Sequence, residues 1–544
     1  MRCPCAKDYR LFRPLISQSV VIMPTRNVCY ILVVAFLSLF ISFKTSIRDQ
    51  VARSVACLVQ RNSLSSLTED KIYEGALAGM MDAVQDEPYT TYLPPSEQPG
   101  YMLEIQGRYT GVGLSTFIKD SQSGEFYFVP QRNSPASKAG LKFGDRIVEV
   151  DGRNVADQSI FELTNSICGE ENTTVKLKIR PRSSVKEFSS TTDNSNDELT
   201  DISFTRTVIQ QDVVLGDRLD DEDKWIFTLK DYPEIGYIAI EQFVDSTGTQ
   251  TRNALEYLEN KGVSKVILDF RGNPGGILQD AVAICNELLA LGSPIVETRD
   301  KNGNSRLYEA TRGTKRRFKV AVLIDGESAS ASEIVASALQ DAGVAIVIGS
   351  RSYGKGTVQS IFELPFHSGA LRMTTASFWR PSGKPIHRNH DAKPDDEWGV
   401  VPDSGYEVQI SPLQGFYQRW IRRIRASSKD AKNLDARTLS FMNSQMTEIE
   451  HELQDGSPLK KAEKAAEIGL SLDEVYSMLQ QSAPKSPDQE EIDPGADSNE
   501  HTPSPNLGFI PSGRAPYFDP QLDKAIDYFR ESESNSLGDK KIEL

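Results

Sequence analysis

Between residues 236 and 348 short apolar runs alternate with stretches of helical spacing, and this alternation limits the fold more than any other property of the chain. Tyr237-Ile238-Ala239-Ile240, Lys265-Val266-Ile267-Leu268-Asp269-Phe270 and Ala345-Ile346-Val347-Ile348 read as strands, as does 318–324. The spacing predicts helices over 249–260, 278–290 and 330–340. Strands that alternate with helices indicate an α/β core.

The 544 residues admit about three domains. A helical segment is expected over 62–100, with Ala76, Leu77, Met80, Met81 and Val84 on one helix face and Asp86-Glu87-Pro88-Tyr89 as its stop. A compact strand-rich unit is expected over 105–182, a polar insertion rich in Ser, Thr, Asn and Asp over 183–205, and the α/β core over 206–408. Residues 409–481 read as charged and helical. Residues 482–515 are rich in Pro, Asp, Glu and Ser and read as a linker, and 516–544 hold a last short helix over 519–530.

The net charge of −15 argues against nucleic acid as partner, since phosphate binding needs a basic footprint. The first 27 residues run the other way. Arg2, Lys7, Arg10, Arg13 and Arg26 face only Asp8, and residues 28–43 are then uncharged and apolar up to Lys44. A basic flank before an apolar run places the flank in the cytoplasm. The run is short of the roughly 20 residues of a spanning helix, so a membrane anchor and a cleaved signal segment both fit. Ser42-Phe43-Lys44-Thr45-Ser46 is a poor cleavage site, and Met23 would open a shorter leader. The expected location is the cell envelope, anchored in the inner membrane with the catalytic part outside the cytoplasm, or secreted after signal cleavage. Cys3, Cys5, Cys29, Cys57, Cys168 and Cys285 show neither zinc-ligand nor redox spacing, so no metal, cofactor or disulfide framework is expected.

Three segments carry chemistry. In Asp325-Gly326-Glu327-Ser328-Ala329-Ser330-Ala331-Ser332-Glu333-Ile334 an apolar strand runs through small residues into an apolar helix. A serine at that helix start lies beside unpaired N–H groups able to stabilise an oxyanion, although a serine-rich N-cap would look the same. Asp269-Phe270-Arg271-Gly272-Asn273-Pro274-Gly275-Gly276 is a strand running into a glycine turn. It lacks the Lys-Ser/Thr ending of a phosphate loop and could give a second oxyanion N–H. Ser352-Tyr353-Gly354-Lys355-Gly356-Thr357-Val358-Gln359 sets a lysine between glycines. Only about one free lysine in two thousand is neutral at pH 7, and burial raises that fraction. A neutral amine beside a serine is a competent general base. His367, His387, His390, His451 and His501 have no strand-end or glycine context, which leaves Ser-His chemistry the weaker reading.

These segments, with Leu371-Arg372-Met373-Thr374-Thr375-Ala376, Pro381-Ser382-Gly383 and Gly399-Val400-Val401-Pro402-Asp403, closely resemble the carboxy-terminal processing, or tail-specific, peptidases from about residue 67 to 408, with an echo at 519–530. The resemblance implies a crotonase/Clp-protease-like core with an inserted β-rich PDZ domain, here joined to an N-terminal membrane anchor and a helical C-terminal extension. It implies Ser330 as nucleophile, Lys355 as base and Gln359 as the residue orienting it. The oxyanion donors would be the N–H of Ala331 and of Gly276 or Gly275, with Glu333 and Asp341 as structural support. Gly111-Val112-Gly113-Leu114 resembles a PDZ carboxylate loop, and 134–141 and 144–152 resemble PDZ core sequence. Its N–H groups would hold a terminal carboxylate while the peptide adds as a strand. The implied partners are protein or peptide substrates with accessible C-termini, the membrane through the N-terminal segment, and a second copy of the chain. One departure is Cys168, where family members often carry a basic residue that couples the PDZ domain to the site. The rival readings are a catalytically silent scaffold on the same fold and a small-molecule hydrolase of crotonase-like fold. The presence of both Ser330 and Lys355 speaks against the first, and the PDZ unit against the second.

Overall fold

The computed structural model describes residues 47–84, 89–119, 123–181, 199–313, 316–393, 395–410, 412–427 and 519–539. The leader 1–27, the apolar run 28–43, the linker 482–515 and most of 183–205 and 409–481 lie outside them. Among the described residues no helix is long and apolar enough to cross a membrane.

The chain divides into two compact units, 1–86 and 87–544. In the first, Thr68 caps the helix Glu69–Asp82, its side chain accepting the Lys71 N–H at 3.3 Å. That helix lies within the helical segment expected over 62–100 and ends before the expected stop at Asp86. A preceding helix, Ile47–Asn62, has no counterpart in the sequence reading.

The second unit is built on a five-stranded sheet, ordered Val214–Leu215, Ile235–Ile240, Lys265–Asp269, Lys319–Ile324 and Ala345–Gly349. The last four strands are mutually parallel. Every residue of Ile235–Ile240 is buried, as expected of a strand covered on both faces. One face packs on Thr247–Asn260, Leu278–Leu288 and Ala331–Asp341 through Leu255, Ile284 and Ile334. The other is closed by Pro520–Asp539, whose Ala525, Ile526 and Phe529 join Ile235, Ile267 and Leu323. Truncating the fully buried Phe529 would cost about 3–5 kcal/mol. The last helix is therefore a wall of the core.

A second sheet pairs Ala370–Trp379 with Thr357–Glu363, Pro294–Asp300 and Thr91–Leu93. Within the helical segment expected over 62–100, the strand Thr91–Leu93 follows the expected helix stop and is not foreseen from the sequence: Tyr92 and Leu93 are buried against its partner. The strand-rich unit is an antiparallel sheet of Leu114–Lys119, Phe126–Pro130, Arg146–Val150, Thr174–Arg180 and Thr200–Thr205, with the helix Ile160–Ile167. Thr200–Thr205 falls inside the expected insertion 183–205, yet it pairs with Thr174–Arg180 and buries Phe204 in this unit's core. Arg108–Gly111 and Thr207–Gln210 form a ribbon that carries the chain in and out. The helix Pro412–Ser427 buries Trp420, Ile421 and Ile424, and Trp420 meets Phe143 of the strand-rich unit edge-on at 5.8 Å.

Candidate active site

The strand Lys319–Ile324 ends at Asp325, and the chain turns through small residues into the helix Ala331–Asp341. Ser330 stands at its N-cap with φ 53° and ψ −111°, a strained conformation for a residue with a Cβ. The surroundings fix it from several sides. The Ser330 N–H donates to Glu333 Oε2 at 2.7 Å, the Ala329 N–H to the Asn273 carbonyl at 2.9 Å, and Ser332 Oγ to the same carbonyl at 3.0 Å. Ser328 Oγ donates to the Phe270 carbonyl at 2.9 Å and accepts the Asp325 N–H at 2.9 Å. Ser328 and Ser332 are 0% exposed and Ser330 is 9% exposed, so of the three serines only Ser330 can be reached from outside.

The glycine turn lies directly over this serine. The Asn273 amide nitrogen donates to the Ile240 carbonyl at 2.7 Å, and its Oδ1 accepts the Gly275 N–H at 2.8 Å. A Cβ at Gly275 (φ +94°) would stand 2.6 Å from the Ala329 carbonyl oxygen and 2.7 Å from Ser330 Cβ, so only glycine fits. With the Gly275 N–H already bonded to Asn273, the Gly276 N–H remains. It has no partner among the described residues, and neither has the Ala331 N–H at the first helical position.

The third segment closes around Glu333. This fully buried carboxylate accepts four hydrogen bonds, from the Ser330 N–H, from Ser352 Oγ at 2.6 Å, from the Gly354 N–H at 2.7 Å and from the Lys355 N–H at 2.9 Å. Burial pushes its pKa up to about 7, while those donors pull it down. A Cβ at Gly356 would stand 2.1 Å from the His387 backbone nitrogen, which is why glycines flank the lysine. The lysine side chain is half-buried. Burial, and then the Arg372 charge, hold its pKa below the ordinary value. Its Nζ lies 4.2 Å above the Tyr89 ring. No hydrogen bond joins it to Ser330 Oγ among the described residues. The Gln359 amide donates to Thr357 Oγ1 at 2.9 Å and Thr374 Oγ1 at 3.3 Å and makes no hydrogen bond to Lys355, so the expected Gln359–Lys355 contact is not formed in this structure.

Glu333, Tyr89 and His387 are the residues the sequence places poorly. Glu333 is expected only as structural support, and its sequence context shows no more than an N3 acid three positions after a cap, not a carboxylate shared by the serine and the lysine. Tyr89, read as part of a helix stop, reaches the lysine because Thr91–Leu93 pairs with Ala370–Trp379 and the Tyr89 carbonyl accepts Arg372 Nε at 3.2 Å. His387 has no strand-end or glycine context in the sequence, yet its backbone abuts Gly356 and its Nδ1 is buried without a partner among the described residues.

In the strand-rich unit, the Val112 carbonyl accepts the Ala136 N–H and the Gly113 carbonyl accepts the Gln131 N–H. Val112 and Leu114 sit in the core. The N–H groups of Val112 and Gly113 have no partner among the described residues. Gly111 faces Tyr109 and Cys168, whose Sγ would lie 3.6 Å from a Cβ there. Beside Cys168 stands a basic group that the sequence did not indicate. Arg206 donates Nε to the Ile167 carbonyl and Nη2 to the Ser166 carbonyl, both at 2.9 Å, and covers the end of the helix Ile160–Ile167.

The model of peptidase family S41 matches residues 234–404, which hold the strained serine, the glycine turn and the lysine loop, and the PDZ domain model matches 129–181 in the strand-rich unit. The chain is 32% identical over 321 residues to carboxy-terminal processing protease CtpA of Bacillus subtilis (strain 168), covering 59% of this chain and 62% of that protein. It is 29% identical over 333 residues to CtpB of the same organism, covering 61% and 64%. It is 31% identical over 358 residues to the carboxyl-terminal-processing protease of Picosynechococcus sp., covering 64% of this chain and 78% of that one. The chain thus spans just under two thirds of the two Bacillus proteins. It belongs to the carboxy-terminal processing protease family.

Proposed function

We propose that the protein is a serine endopeptidase that engages the C-terminal tail of protein substrates and cleaves upstream of it. Ser330 Oγ attacks the scissile carbonyl carbon as its proton passes to neutral Lys355 Nζ. The oxyanion is met by the N–H groups of Ala331 and Gly276. The C–N bond breaks as the leaving amine takes the lysine's proton, giving an ester on Ser330. Water activated by the same amine then releases the acid and restores the serine. The observation that carries this reading is the Glu333 carboxylate, which bonds the backbone of the serine and of the lysine at once. Before attack, Lys355 must leave the Tyr89 ring and turn to Ser330. Gly111, Val112, Gly113 and Leu114 form the carboxylate loop of the PDZ domain, with the free N–H groups of Val112 and Gly113 as donors to the substrate's terminal carboxylate. The crotonase/Clp-protease-like description of the core and the extracytoplasmic location belong to the same proposal, the latter supported by the basic leader and the apolar run 28–43.

The test is cleavage of an unfolded protein, ending in a free carboxylate or in an amide, by the full-length chain and by Ser330→Ala. The reading expects cleavage by the native chain alone, faster with the free carboxylate. Equal cleavage by both chains would remove Ser330 from the reaction, and no preference between the tails would remove the PDZ role. For location, alkaline carbonate should leave the chain in the membrane pellet, and its recovery in the supernatant would reject the anchor.

A further inference from the structure

We infer that the segment beginning at Asp519 is a positioning element for the glycine turn of the active site, acting through the Asp519 carboxylate. The inference rests on the peptidase reading above and adds a residue far from it in sequence.

Arg271 is the first residue of the turn that carries Asn273, Gly275 and Gly276, and its side chain is 4% exposed. The guanidinium is bonded to two carboxylates. Its Nε and Nη2 reach Asp269 Oδ1 at 2.9 Å and Oδ2 at 2.6 Å. Its Nη1 and Nη2 reach Asp519 Oδ1 at 2.7 Å and Oδ2 at 2.8 Å. Nη1 also donates to Gln521 Oε1 at 3.2 Å. The backbone of the same residue is held as well, its N–H by Asp269 Oδ1 at 3.0 Å and its carbonyl by Arg422 Nη2 at 3.3 Å.

Asp269 cannot do this alone, because its Oδ2 also accepts Tyr237 Oη at 2.7 Å and pairs with Arg422 Nη1 at 3.0 Å. Arg422 has a further carboxylate in Glu241 Oε1 at 3.1 Å, but without Asp519 the Arg271 guanidinium would have only the shared Asp269 carboxylate among the described residues. Asp519 supplies the second, and a bidentate pair fixes direction as well as charge. From Arg271 the constraint passes along the turn: the Gly272 N–H donates to Asp325 Oδ1 at 2.9 Å, and Asn273 ties both Gly275 and the serine turn. Its far end is the Gly276 N–H, which has no partner among the described residues. The same segment touches the root of the lysine loop. Gln521 Nε2 donates to the Val408 carbonyl at 2.8 Å, and the Val408 N–H donates to the Gly349 carbonyl at 2.8 Å.

Asp519 is separable from the packing of its helix. The apolar face of Pro520–Asp539 is made by Ala525, Ile526 and Phe529, so Asp519→Asn leaves that face in place. It preserves the shape of the side chain and removes the charge and one acceptor, while the remaining amide oxygen can still accept the Leu522 N–H that Asp519 Oδ1 caps at 3.1 Å.

The experiment compares full-length native chain, Asp519→Asn and Asp519→Ala. Peptide cleavage gives kcat and KM, a serine-reactive fluorophosphonate counts competent sites, and thermal melting counts folded molecules. Hydrogen exchange over 271–277 reads the turn without turnover. Asp519→Asn is expected to lower kcat about 100-fold, the scale of one misplaced oxyanion donor, with KM within about threefold. Exchange over 271–277 should rise about tenfold or more while the helix Pro520–Asp539 keeps its protection. Formate at constant ionic strength should restore part of the activity of Asp519→Ala. Native kcat and native exchange in Asp519→Asn, or loss only in proportion to unfolded molecules, would overturn the inference. A native chain that neither cleaves nor labels, yet shows the exchange response, would sink the peptidase reading and leave the positioning role standing.

Discussion

Ser330 is gripped from every side: its amide by Glu333, its neighbours by Asn273 and Phe270, and its Cβ by Gly275. Lys355 shares the same carboxylate through its backbone, but its side chain is half-buried, rests on Tyr89 and has a polar route to Ser330 still to make. The serine side is built in advance and its strain is stored in the turn. The lysine side is held only at the main chain. Under the proposed mechanism the nucleophile is fixed in advance, and Lys355 has to leave the Tyr89 ring before it can act as base.

The largest effect should come from the fixed side. Ser330→Ala is expected to lose cleavage on the order of 10⁴-fold with an unchanged melting curve, whereas Ser328→Ala and Ser332→Ala keep cleaving at reduced stability. A dead Ser328→Ala beside a working Ser330→Ala would reverse the assignment.

Lys355→Arg comes next, with a loss of about 10³-fold measured as kcat/KM, because arginine keeps the charge but cannot deprotonate. In the native chain the rate should climb with pH through the lowered lysine pKa. The lysine must be neutral to act, and burial and Arg372 already favour that form. The folded chain holds this proton less tightly than the unfolded chain, so the stability cost is full at low pH and fades towards the free-lysine range. Lys355→Met should therefore melt above the native protein at neutral pH, with the gap closing as pH rises. A bell centred near neutrality, abolished by replacing His387, would instead point to the imidazole that abuts Gly356.

Glu333→Ala tests the shared clamp. It strands four donors in the interior, and urea unfolding should register about 3 kcal/mol of lost stability. A variant as stable as the native chain would mean that the two sides are independent.

The smallest effect sharpens the comparison most. A ring face favours the ammonium form, worth about 1 kcal/mol at a partly exposed site. Tyr89→Leu should raise the rate near neutral pH by about fivefold and move the pH profile to lower values, while Tyr89→Phe changes neither. A slower Tyr89→Leu enzyme would make Tyr89 part of the working geometry instead of a resting place.

The alternating core was legible because strand and helix periods are local properties. The expected helix over 330–340 is Ala331–Asp341, and the expected strand over 345–348 is Ala345–Gly349. The segments holding Ser330, Lys355 and Gly276 announced themselves through glycines and small residues, whose use is tied to backbone geometry. What stayed hidden depends on pairing between distant segments. Tyr89 reaches Lys355 through a three-residue strand, too short to carry a period. Arg206 covers the end of a helix about forty residues earlier in the chain. Asp519 has no local signature, since its partner is an arginine on a different element.

The pairing of Asp519 with Arg271 spans 248 positions, and this sets a schedule for the making of the protein. At ribosomal speeds of about 5–20 residues per second, Arg271 waits roughly 12–50 seconds for its second carboxylate. For the later part of that interval the growing chain holds Ser330 and Lys355, but one face of the central sheet lacks its covering helix and the glycine turn lacks a tether. On the proposed reading, a chain still being made has the serine and the lysine before it has the second tether of the glycine turn, and the site becomes fully braced only once Asp519 has been added.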